Sequence, residues 1–88
     1  MNFVEWVDEI LLQEWDPIGI RGVPQFADEY SSYAPDIAEL VARNTAPEII
    51  AGHLDLIATR RMGCRADPEN TYRVALILLS PKMFERMP

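Results

Sequence analysis

Cysteine and histidine each occur once in these 88 residues, as Cys64 and His53. A lone cysteine excludes an internal disulfide framework and any multi-cysteine zinc site. A helical histidine needs a second metal ligand three or four residues away on the same face. Around His53 those positions are Ile49, Ile50, Leu56 and Ile57, all apolar, so a histidine at the core edge is the economical reading. Cations are scarce as well: residues 1–59 hold eleven acids against Arg21 and Arg43, a balance of −9. Such a surface repels the phosphates of a nucleic acid. The longest apolar run, Val74 to Leu79, is far too short to span a bilayer. Glu5, Asp8 and Glu9 interrupt the N-terminus with no basic segment before them, so a secretory signal is not expected and a cytoplasmic location is. No membrane partner, no cofactor and no transition metal are expected.

What is present is globular composition, 49% hydrophobic with apolar residues spread along the chain. The length fits one domain, residues 1–88, near the lower limit for an unstapled core. The pattern predicts an all-α fold: a compact four-helix domain with a long packed loop between the first and second helices. The first helix, residues 3–14, has Asn2 as its N-cap and apolar residues at Phe3, Val7, Ile10 and Leu11. Trp15-Asp16-Pro17-Ile18-Gly19 then stops it, because the residue before a proline is pushed out of the helical region and Gly19 frees the turn's end. Trp15, Pro17 and Gly19 are the expected structural anchors of the loop, residues 15–28. Ile18, Ile20, Val23 and Phe26 are apolar enough to fold that loop onto the core.

The second helix, residues 32–43, begins near Ser31 or Ser32, carries Pro35 in its first turn and stops at Asn44. Thr45-Ala46-Pro47-Glu48 reads as a capping box that opens the third helix, residues 46–62, ended by Gly63. Asp67-Pro68 caps the fourth, residues 68–79. Its run from Val74 to Leu79 is apolar all round, which predicts the central element, with Leu76 and Leu79 among the most buried residues. Ser80-Pro81 caps one last short turn before a tail within residues 80–88.

Candidate chemistry is thin. A helix continuous to Met62 holds His53 and Cys64 about 16 Å apart along one axis, too far for a thiol–imidazole pair. Arg60, Arg61 and Arg65 around Cys64 favour a thiolate, while the negative end of the helix dipole opposes it. The same arginines form a candidate anion or partner patch, although without interleaved aromatics or glycines they are a weak nucleic-acid signal. Glu5, Asp8 and Glu9 share a helix face, read as solvated acids near a helix N-terminus. Asp28, Glu29 and Tyr30 precede the second helix, and their convergence with Asp16 is the one pocket-like arrangement the spacing allows.

The tryptophan–aspartate–proline turn after an amphipathic helix, then Asp28-Glu29-Tyr30 with Tyr33 and Pro35, then Met62-Gly63, resembles a family of small uncharacterised bacterial proteins. That family is a domain of unknown function of about this length, and the resemblance covers roughly residues 10–79. Where the family pattern calls for another acid, this chain has Ser31. The resemblance implies a bacterial, soluble, mainly helical domain and carries over no catalytic residue. The favoured function is a non-enzymatic protein–protein interaction module, inhibitor or immunity-like, whose acidic N-terminal two-thirds suits a basic partner. The rivals are a small-ligand binder or enzyme using the 15–30 loop, and a nucleic-acid-associated protein using Arg60, Arg61, Arg65 and Arg73. The candidate ligand or partner surface is therefore Asp16, Asp28, Glu29, Tyr30, Arg60, Arg61 and Arg65.

Overall fold

Asn2 starts the first helix as expected: its Oδ1 accepts the Glu5 amide at 2.8 Å. In this computed structural model, which describes residues 2–80, α1 covers Phe3–Ile10, α2 Ala34–Ala42, α3 Pro47–Arg60 and α4 Pro68–Leu78. No strand occurs among the described residues, so the fold is all-α with four helices. Met1, the turn expected after Ser80 and the tail from Pro81 on lie outside the described residues. None of the described helices is long and apolar enough to cross a membrane.

The first helix does not end at residue 14 but widens into a π-helical turn, Leu11–Trp15. Its closing bond runs from the Asp16 amide to the Leu11 carbonyl at 2.9 Å, five residues back. The last carbonyls of a helix lack partners within it. Here they are met from outside: Arg21 donates to the Gln13 carbonyl, and Arg73 Nη2 to the Glu14 carbonyl at 3.0 Å. Two arginines are thereby spent as C-terminal caps.

Three local expectations are corrected. The second helix, α2, begins at Ala34 rather than near Ser31 or Ser32, entered through a 3-10 turn, Ser31–Tyr33, without a side-chain cap. The Ser31 hydroxyl donates instead to Asp8 Oδ2 on α1 at 2.9 Å. Thr45 forms no capping box: α3 begins at Pro47 after Ala46, with no side-chain cap. Thr45 belongs to the end of α2, where its amide reaches the Leu40 carbonyl at 3.1 Å while Asn44 takes the left-handed conformation (φ 55°). That is a Schellman closure with asparagine in glycine's place. At the far end α3 stops at Arg60 rather than Met62, and Gly63 at φ 66° lets the Cys64 amide return to the Ala58 carbonyl at 2.9 Å.

The core is shared among the helices. Trp6, Val7 and Leu11 from the first helix, Ile37 from α2, Ile50 and Leu54 from α3 and Val74 and Leu78 from α4 are all buried. Asp67 caps α4, accepting the Asn70 amide at 3.2 Å. Its apolar run is not buried all round, however. Thr71, Val74, Ala75 and Leu78 face inward, Leu76 is 49% exposed and Leu79 half-buried. A helix packed on one side buries positions i, i+3, i+4 and i+7, the spacing that Thr71, Val74, Ala75 and Leu78 follow, so leucine at position 76 falls outside the stripe. In the loop, Ile20 is buried and Val23 partly so, whereas Ile18 and Phe26 stay nearly half exposed. The loop is held mainly by other means.

Candidate functional site

Those means are polar. Asp16 adopts the left-handed region (φ 38°, ψ 58°), which asparagine and aspartate tolerate because their short side chains bond locally. Proline at 17 therefore does push Asp16 out of the right-handed helical region, but into left-handed rather than extended backbone. Asp16 Oδ1 accepts the Ile20 amide at 2.8 Å, and Oδ2 accepts the Arg21 amide at 3.1 Å. The Tyr30 phenol donates to the same Oδ1 at 2.8 Å and accepts the Ile18 amide at 3.1 Å. Tyr30 is fully buried, with its ring 5.3 Å from that of Trp15, itself 5% exposed. Burial pushes the phenol well above the usual tyrosine range, with Asp16 adding to the shift and the Ile18 amide opposing it. Tyr30 is thus a locked donor, a structural residue rather than a surface one.

Of the expected group, Tyr30 meets Asp16. Asp16 lines a cleft of about 440 Å³ together with Asp55 and Asp67, while Asp28 and Glu29 are exposed and do not line it. Trp15, Pro17 and Ala58 give the cleft an apolar wall, and Cys64 and Arg65 sit at its side. The carboxylates here already serve the fold. Asp55 Oδ1 accepts the Asp67 amide and Oδ2 the Thr71 hydroxyl, each at 3.0 Å, tying the start of α4 to α3. The Cys64 thiol faces the Pro17 carbonyl at 3.5 Å. Asp55 and Thr71 escaped the sequence reading, because an acid in a helix gives no signal of a partner sixteen residues on.

His53 is exposed on α3 rather than at the core edge, beside Leu40 and Arg43 of α2, and it does not line the cleft that holds Cys64. The cleft therefore holds no cysteine–histidine pair. Among the described residues, no group of three or more histidines, cysteines or acids is placed to hold a metal ion.

The acids of α1 divide. Asp8 is half-buried against Ser31, while Glu5 is exposed and hydrogen-bonded to Asn2. The Ser31 hydroxyl in turn lays the Asp28–Ser31 turn, closed by the Ser31 amide on the Asp28 carbonyl at 3.1 Å, against α1. The segment that carries the exposed acids Asp28 and Glu29 is thereby tied to α1, the helix that carries Glu5 and Glu9. The ion pairs among the described residues are Arg43 with Glu39 and Arg73 with Glu14, and none of these four acids takes part in them. Of the basic candidates, Arg65 joins the Trp15 cleft, while Arg60 and Arg61 flank a shallow crevice with His53 and Leu56. Comparison with protein-family models, with curated proteins and with solved structures finds no match to this chain.

Proposed function

We propose that this chain is a non-enzymatic protein–protein interaction module whose acidic face engages a basic partner protein, in the manner of a small inhibitor or immunity protein. One observation supports the reading: the Ser31–Asp8 hydrogen bond ties the segment bearing Asp28 and Glu29 to the helix bearing Glu5 and Glu9, and none of these four acids is in an ion pair among the described residues. Unneutralised surface acids raise the encounter rate with a basic protein more than they raise packed affinity. Immobilised chain should capture a basic protein from cell extract, and the association rate should fall steeply as salt passes about 0.1 M, where screening extends about 10 Å. Asp28→Lys with Glu29→Lys should slow association without unfolding the chain, since both side chains are exposed. Capture that survives these reversals but fails on Arg60→Glu with Arg61→Glu, or recovery of nucleic acid, would overturn the reading.

The Trp15 cleft favours a second reading, a small-ligand site, because its volume and mixed apolar and polar lining fit a compact molecule. A ligand seated there should alter the fluorescence of Trp15 and raise the melting temperature; Asn70→Ala should weaken both effects.

A further inference from the structure

The exposed face of α3 has features that the packing of the chain on itself does not explain. Ile49 and Leu56, two turns apart, are 59% and 52% exposed. Between them lies Gly52, also exposed, in the middle of a fourteen-residue helix. Glycine weakens a helix interior relative to alanine, and it usually stands there to let another backbone come close. Among the described residues nothing takes that space: a Cβ added at Gly52 meets none of their atoms within 4 Å. The charges at the two ends of the helix have opposite sign, Glu48 in the first turn and Arg60 in the last. Neither is in an ion pair among the described residues.

We propose that this face is a self-association surface on which two copies of the chain pair antiparallel along α3. A two-fold axis near the middle of the helix sets Leu56 of each copy over Gly52 of the other and covers Ile49 at the rim. It also sets the Glu48 end of each helix beside the Arg60 end of its mate. Charge complementarity selects the second copy as occupant, because antiparallel pairing satisfies both ends at once and aligns each helix's positive terminus with the other's negative one. A helix of this length extends about 21 Å, and contacts of under about 1,200 Å² characterise weak, transient association. The pairing is therefore concentration-dependent. It uses none of the acids assigned to the basic partner, so it stands or falls separately from that reading.

Sedimentation of the full chain over a range of concentrations tests this. The average mass should rise toward twice that of the monomer, and Leu56→Glu should hold it at the monomer throughout. Glu48→Lys and Arg60→Glu should each weaken pairing about tenfold, and the double variant, which restores opposite charges, should recover it. Gly52→Leu should raise the melting temperature while weakening association, a split that a purely structural glycine would not show. Wild-type chain that stays monomeric at every concentration, pairing that survives Leu56→Glu, or a double variant no better than the singles would overturn the proposal.

Discussion

Tyr30 and Asp16, fourteen residues apart in sequence, meet in a 2.8 Å hydrogen bond that closes the loop between α1 and α2. The bond joins a buried phenol to a carboxylate already holding two main-chain amides, so one side chain organises both ends of the loop. Tyr30→Phe would leave the Ile18 amide without its acceptor. The expected cost is about 1–3 kcal/mol, read from urea or thermal unfolding.

The same phenol gives the chain an alkaline limit. Its folded pKa is raised, so the neutral form stabilises the fold fully below about pH 10, where the unfolded tyrosine titrates. As pH rises beyond that, the unfolded state ionises first and stability is lost. Wild-type unfolding free energy should decline above about pH 10 more steeply than that of Tyr30→Phe. Equal slopes would show that Tyr30 titrates normally.

Trp15→Ala should cost roughly 3–5 kcal/mol, the usual range for deleting a buried aromatic. The indole is packed against Tyr30, so the loss should also release the loop, seen as faster amide exchange at Ile18 and Ile20.

Ser31→Asp would set a second carboxylate against Asp8. Two acids sharing one site raise the pKa of one of them. The variant should be destabilised by about 1–3 kcal/mol at neutral pH, with much of the loss recovered below about pH 5 as the pair takes up a proton. A pH-independent loss would point to steric disruption instead.

In α4 the two leucines should differ sharply. Leu78→Ala removes a buried side chain and should cost about 2–5 kcal/mol. Leu76→Ala, on the half-exposed side, should stay within about 0.5 kcal/mol. Asp55→Ala should speed amide exchange at Asp67, whose N–H would lose its acceptor.

The sequence by itself determined where helices lie and several of their ends. Asn2 and Asp67 cap within three residues of themselves, and Asn44 and Gly63 take left-handed backbone where a helix must stop. Those choices depend on neighbours a turn away, so spacing and residue type suffice to read them. The tertiary structure decided everything in which a polar group had two possible partners. Ser31 could cap α2 or bond Asp8, Thr45 could open α3 or close α2, and Asp16 could face the acids of its loop or hold Tyr30. A residue has one backbone conformation and one place in the chain, so each choice forecloses the other. For Ser31 and Asp16 the winner was the partner that packing brought within 3 Å, whereas for Thr45 it was the left-handed turn at Asn44. The inward side of α4 was decided the same way, because an unbroken apolar run carries no period to say which leucine meets the core.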